Sequence, residues 1–135
     1  MIAMEKTTVK LKTDREAFYD ITADIRQAIS ASKVKSGICV VYCPHTTAAI
    51  TVNENADEHV AQDVLLGART AFPSLAGFKH DEGNSAGHVK SSMFGVSLTL
   101  IIENGAPVLG RWQNVYFCEF DPPRSREFYI KIMSD

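Results

Sequence analysis

Polar and apolar residues alternate over Thr7-Thr8-Val9-Lys10-Leu11-Lys12, the mark of a strand with one wet face. Across residues 19–32 the period changes. Ile21, Ile25 and Ile29 recur every four residues with Ala28 beside them, which predicts an amphipathic helix with a narrow apolar stripe. Gly37 then restarts the chain into residues 38–43, apolar on both faces, which predicts a central strand covered on both sides. Pro44 has no N–H to give to a ladder and fits the end of that strand. Residues 48–52 read as the next strand and residues 55–71 as a second helix. Asn55 and Glu58 have the spacing of a capping box, and Val60, Val64 and Ala68 mark the buried stripe.

The second half is richer in strands. Residues 72–83, with Pro73, Gly77 and Gly83, read as irregular, and Ser85 as the cap of a short helix through Met93. Strands are predicted over residues 96–102, 106–109, 112–120 and 126–132, with Asn104-Gly105 the dipeptide favoured in tight hairpin turns. In the last strand Phe128, Ile130 and Ile132 face one way, and Glu127, Tyr129 and Lys131 the other. The pattern predicts an α+β sandwich: two main helices before residue 72 and a mostly antiparallel sheet of six or more strands.

No repeat, linker or low-complexity tract divides the 135 residues, so a single domain over 1–135 is expected. The 14 basic and 16 acidic residues nearly cancel, which argues against a nucleic-acid partner. No apolar run approaches the roughly 20 residues that span a bilayer, so no membrane partner is expected. Residues 1–6 lack the long apolar region of a secretory signal. Cys39, Cys43 and Cys118 are odd in number and without CxxC spacing. They read as small buried hydrophobes in a reducing, cytoplasmic compartment.

Chemistry concentrates in two clusters. His45-Thr46-Thr47 follows the central strand, and Asn53-Glu54-Asn55-Ala56-Asp57 follows the next one. His80-Asp81-Glu82-Gly83-Asn84-Ser85-Ala86-Gly87-His88 repeats the vocabulary later. Imidazole suits proton transfer near neutral pH and metal ligation, so His45 is the sharpest candidate. Glu54 and Asp57 are candidate acid–base groups, although acids at a helix start are favoured by its dipole in any case. His59 reads as solvated. Asn84 and His88 lie one helical turn apart and can address one ligand. Three imidazoles, His45, His80 and His88, plus an open position describe a catalytic zinc, yet their spacing matches no compact metal signature. Arg124 and Arg126 are candidates to clamp a phosphate, with Arg126, at a strand start, alternatively a solvated edge residue.

Taken in order, Pro44-His45-Thr46-Thr47-Ala48, Asn53-Glu54-Asn55-Ala56-Asp57, Glu82-Gly83-Asn84 with Ala86-Gly87-His88, Gly95 with Leu98-Thr99, Gly110-Arg111-Trp112-Gln113 and Pro123-Arg124-Ser125-Arg126 resemble the successive motifs of the YjbQ-like family, described as secondary thiamine-phosphate synthase enzymes. The resemblance implies a compact α+β sandwich, a homotrimer, and polar motif positions at His45, Thr46, Asn53, Glu54, Asp57, His80, Asn84, His88, Gln113 and Arg124. It also implies a weak synthase activity joining a pyrimidine diphosphate to a thiazole phosphate. The expected site has His45, Glu54, Asp57 and His88 as catalytic groups. Thr46, Thr47, Asn53, Asn84, Gln113 and Arg124 hold a small phosphorylated or anionic substrate, and His45, His80 and His88 are the ligands of a divalent metal, zinc or magnesium. Two alternatives stand beside it, a metal-dependent hydrolase-type enzyme and a non-catalytic ligand-binding trimer.

Overall fold

The computed structural model describes residues 2–3 and 5–135, with side chains from residue 5 onward. The reading of residues 1–6 as free of a signal rests partly on residues 1 and 4, which lie outside the described residues. Among the described residues nine strands and three helices follow in the order β1 (Ile2–Ala3), β2 (Thr7–Thr13), β3 (Ala17–Asp20), α1 (Thr22–Ser32), β4 (Gly37–Tyr42), β5 (Ala48–Glu54), α2 (Glu58–Ala71), α3 (Ser85–Phe94), β6 (Ser97–Glu103), β7 (Ala106–Pro107), β8 (Gln113–Glu119) and β9 (Arg124–Ser134). The class is α+β, and every strand pairing among the described residues is antiparallel.

The strands divide into two sheets. The larger runs β1-β9-β4-β6-β7, with β2 also on β9, and the smaller runs β3-β8-β5. Their facing sides alternate in phase: Cys39 and Val41 from β4, Leu100 and Ile102 from β6, and Phe128, Ile130 and Ile132 from β9 meet Ile50, Val115 and Phe117 of the small sheet. Ile21, Ile25 and Ile29 of α1 enter the same core, so the four-residue repeat marks a buried stripe as expected. A second cluster of Ala49, Leu65, Cys118 and Phe120 lies on the other face of the small sheet. There α2 packs on β3 and β5, and α3 on β5.

Several expected boundaries move, each for a local reason. Residues 17–20 form the edge strand β3 against residues 116–119, so the first helix begins at Thr22 and not at Tyr19. Ladder hydrogen bonds to β8 outweigh a helical period that persists into the preceding strand. The second helix begins at Glu58, capped by Asp57, whose Oδ1 accepts the His59 N–H at 2.9 Å. The expected Asn55 cap instead has its Oδ1 taken by the Tyr116 hydroxyl. Ala68 is buried as expected, but its buried companion on α2 is Leu65, with Val60 and Val64 half-buried. The third helix is preceded by Asn84, with Ser85 its first residue. Asn104 and Gly105, at φ 52° and 75°, make the expected tight turn between β6 and β7.

Central placement of β4 holds, since it lies between β9 and β6. Coverage on both sides does not hold within the chain. Ile38 and Val40 are half-buried and Tyr42 is exposed on the outer face, where no further layer of the described residues packs. The close approach of β4 to β9 explains Gly37. A Cβ there would stand 2.0 Å from the Met133 carbonyl oxygen. Gly37→Ala is therefore expected to destabilise the fold by about 1–3 kcal/mol or more in chemical denaturation, because backbone must shift to admit the methyl group. An unchanged midpoint would contradict this packing.

Candidate functional site

The site starts where β4 stops. β4 pairs with β9 as far as Tyr42↔Tyr129, and two positions on the chain offers Pro44, which has no N–H. The main chain of Glu127 would lose its partner there. The imidazole of His45 takes that place: Nε2 lies 3.0 Å from the Glu127 nitrogen and 3.1 Å from its carbonyl oxygen. Either neutral tautomer is thereby satisfied, Nε2 accepting the amide hydrogen or Nε2–H donating to the carbonyl. Nδ1 has no partner among the described residues. Burial and the neighbouring Arg126 charge hold His45 below its ordinary pKa of 6.5, so the ring is neutral at pH 7.

Thr47 is fixed by a buried ion pair. Arg126 Nε donates to Glu119 Oε1 at 2.7 Å and Nη2 to Glu119 Oε2 at 2.5 Å, with the two side chains 5% and 0% exposed. The same Nη2 reaches Thr47 Oγ1 at 2.9 Å and the Thr47 carbonyl at 3.2 Å. Glu119 accepts further from Thr13 Oγ1 at 2.6 Å and the Asp121 N–H at 2.8 Å. Burial works against its ionisation, but the hydrogen bonds from Arg126, Thr13 and Asp121 outweigh it and hold the carboxyl below the usual glutamate range.

Helix α3 supplies the opposite wall. Gly87 lets it approach the residue that follows β8: a Cβ there would lie 2.9 Å from the Phe120 carbonyl oxygen. The Ser91 hydroxyl donates to the Ala48 carbonyl at 2.6 Å. A cleft of about 380 Å³ results, lined by His45, Thr46, Thr47, His80, Asn84, His88, Arg124 and Arg126 among others. The rings of His80 and His88 meet edge to face at 5.2 Å, and Arg124 sits at the rim, half-exposed and paired with Asp121 at 2.6 Å.

Of the residues singled out in the sequence, His45, Thr46, Thr47, His80, Asn84, His88 and Arg124 line this one cleft. Asn53, Glu54, Asp57 and Gln113 stand elsewhere. Glu54 pairs with Gln113 at the far end of β5, and six residue steps along a strand separate them from Ala48, roughly 20 Å. Glu54 lines a different cleft with Glu58, Arg69 and Tyr116. Asp57 caps α2, and Gln113 Oε1 accepts the Gly110 N–H at 2.8 Å. Asn53 Oδ1 accepts the N–H of Glu54. A three-histidine metal centre is not assembled either: among the described residues no group of three or more His, Cys, Asp or Glu side chains is arranged to hold a metal ion. His45 turns Nε2 to backbone, and His80 and His88 are left as a pair.

Glu119 is the site residue that sequence reasoning missed, and with it the buried ion pair it forms with Arg126. Arg126 is no solvated edge residue. It falls in phase with Phe128, Ile130 and Ile132, and Glu119 with Val115 and Phe117, so both occupy inward positions of their strands. Opposite charges at inward positions were the available signal. The cysteines do match their reading: all three are free and buried, and burial raises Cys39 and Cys43 to about 11.

These features define an α+β two-sheet domain with a histidine- and arginine-lined cleft at a sheet end. The chain belongs to the UPF0047 protein YjbQ-like family, whose model matches residues 7–135. A UPF0047 protein of Methanocaldococcus jannaschii is 54% identical over 127 residues, 93% of this chain and 92% of that protein. The UPF0047 protein YugU of Bacillus subtilis is 46% identical, covering 96% of this chain and 99% of its own. The crystal structure of an uncharacterized YjbQ/UPF0047 family protein from Clostridium acetobutylicum matches with a TM-score of 0.92 at 48% identity, over 94% of this chain and 99% of that one. A YbjQ-like protein of unknown function from Sulfolobus solfataricus gives 0.93 at 27% identity, over 99% and 100%. No helix of the described residues is long and apolar enough to cross a membrane.

Breaking the buried pair has a calculable consequence. Arg126→Met leaves Glu119 without its cation and is expected to cost about 3–5 kcal/mol in denaturant unfolding. The pH dependence follows from the sign of the Glu119 shift. A carboxyl held lower in the folded state stabilises above the unfolded value near 4.3 and loses that contribution as pH falls toward the folded value. Wild-type stability should drop through that acid window, and Glu119→Gln should flatten the drop.

Proposed function

We propose that the chain is an enzyme that binds a small phosphorylated or otherwise anionic substrate in the histidine cleft and moves a proton through His45 Nδ1. The observation that carries this reading is the double anchor of Nε2 on Glu127. With Nε2–H donating to the carbonyl, Nδ1 is a free base. With Nε2 accepting the amide hydrogen, Nδ1–H is a donor. The ring keeps its place in both states, which is what a proton-transfer group requires. Its depressed pKa keeps the base form available at neutral pH. Thr46, Arg124 and Arg126 supply donors for substrate oxygens, and His88 flanks them.

The reaction implied by the family resemblance, joining a pyrimidine diphosphate to a thiazole phosphate with loss of pyrophosphate, fits this class because both substrates are phosphorylated. It is the first activity to assay. His45→Ala is expected to abolish turnover while leaving the circular dichroism spectrum of a folded chain, with the unfolding midpoint lowered by the loss of the Glu127 hydrogen bond, worth about 1 kcal/mol. A non-catalytic binding protein would instead show weaker ligand affinity and no turnover to lose. A divalent metal, zinc or magnesium, is a separate proposal supported by the His80–His88 pair; elemental analysis of protein purified without chelator tests it. A cytoplasmic location is likewise proposed, on the strength of three cysteines that form no disulfide.

Homotrimer formation belongs to the same proposal. Ile38, Val40, Tyr42 and Ile101 form an apolar outer sheet face of the kind that marks contacts between chains. Light scattering at micromolar concentration should give three times the 14.9 kDa of one chain. A monomer mass would refute it.

A further inference from the structure

Asn84 forms part of the cleft wall, and its amide can stand in one orientation only. Nδ2 donates to Asp121 Oδ2 at 2.8 Å. The same oxygen accepts from Arg124 Nη2 at 2.6 Å. Burial opposes ionisation of Asp121, yet the hydrogen bonds from Asn84 and Arg124 prevail and hold its carboxyl below the usual aspartate range. A carboxylate only accepts, so a flipped amide would set oxygen against oxygen. Oδ1 is thereby fixed as the unpaired end. It is buried and has no donor among the described residues. Nor does it cap α3, although Asn84 occupies the position where asparagine commonly accepts a first-turn N–H.

Arg126 offers the complementary lack in the same cleft. Its Nε and Nη2 are taken by Glu119 and Thr47, while Nη1 has no acceptor among the described residues. The side chain is only 5% exposed, but Nη1, unlike Asn84 Oδ1, is not fully enclosed and keeps accessible surface where an acceptor can reach it. One wall therefore needs a donor and the other an acceptor. A fully deprotonated oxyanion would satisfy Arg126 and leave Asn84 Oδ1 facing another oxygen.

We propose that the cleft is built for an oxyanion that keeps one hydroxyl: inorganic hydrogenphosphate, or a phosphoryl group in its protonated state. An anionic oxygen accepts from Arg126 Nη1, and the P–O–H donates to Asn84 Oδ1. This rests on the reading of the cleft as an anionic-substrate site and sharpens it, because size and charge alone do not separate phosphate from sulfate. A fixed neutral acceptor does, by demanding a proton that sulfate lacks.

The test is calorimetric titration of the full chain at pH 7 with inorganic phosphate, sulfate and monofluorophosphate. Fluorophosphate keeps the tetrahedral shape and charge but has no hydroxyl. Phosphate is expected to bind about tenfold or more tightly than either competitor. Asn84→Ala should erase that preference by weakening phosphate while leaving sulfate unchanged. Equal affinities for the three anions on the wild-type chain overturn the inference and leave the anion-site reading standing. Absence of binding by all three overturns both. The fluorophosphate comparison needs no variant, so it discriminates even if Asn84→Ala fails to fold.

Discussion

The ion pair between Arg126 and Glu119 is the constraint around which the cleft is arranged. Both charges lie between the two sheets, where leaving water costs several kcal/mol per ion unless every lone pair and proton finds a partner. Here the partners come from separate stretches of chain. Glu119 ends β8 and Arg126 lies near the start of β9, while Thr13 closes β2 and Thr47 belongs to the loop after β4. No one of these segments can shift without exposing an unpaired buried charge. The pair adds little net stability over a hydrophobic replacement of similar shape, but it makes displacement of the Thr47 loop costly. Its structural effect is positional, and what it positions is the loop that carries His45.

Much of the fold was written in hydrophobic periodicity. The two-residue alternation of β2 and β9, the both-sided apolar run of β4 and the four-residue repeat of α1 all formed the elements they predicted. Where an element departed from its pattern, a tertiary partner decided. Residues 17–20 became a strand because the edge of β8 was open to them, something no local pattern encodes. The site was legible in kind more than in grouping. His45 and Glu54 look adjacent because nine positions separate them, yet an extended strand turns that interval into a length of about 20 Å, whereas the helix and turn of residues 80–88 fold back onto His45 from far along the chain. The pairing of Arg126 with Glu119 stayed hidden because charge at a strand end suggests solvation, when their phase with Phe128 and Phe117 already turned both inward.

The outer face of β4 shows a different gap between pattern and chain. Residues apolar on both sides of a strand imply two covers, and the chain provides one. Ile101, 57% exposed, stands opposite Ile38 in the register and extends the same apolar row. The inner row is buried between the sheets, while the outer row stays open among the described residues.

His45 joins these threads because its role depends on where β4 ends. Had residue 44 been able to donate, the ladder with β9 could have continued and Glu127 would have had no need of an imidazole. Proline at that position stops the ladder one pair short, and the side chain of the next residue completes it. The imidazole is thus held by the most rigid element available, the main chain of a central strand, with no charged residue acting as its orienting partner. A carboxylate on Nε2 would have raised the pKa of the ring and fixed one tautomer. A peptide group, offering an N–H and a C=O side by side, leaves both tautomers open, and the upward pull of its hydrogen bond is outweighed by burial and the Arg126 charge. The ring is left free to exchange roles at Nδ1, and burial together with the nearby Arg126 charge, itself neutralised by Glu119, biases it toward the uncharged form. The ion pair, the proline and the stretch of β9 that has no β4 partner therefore act together on one ring, and fix how its Nδ1 is presented to the cleft.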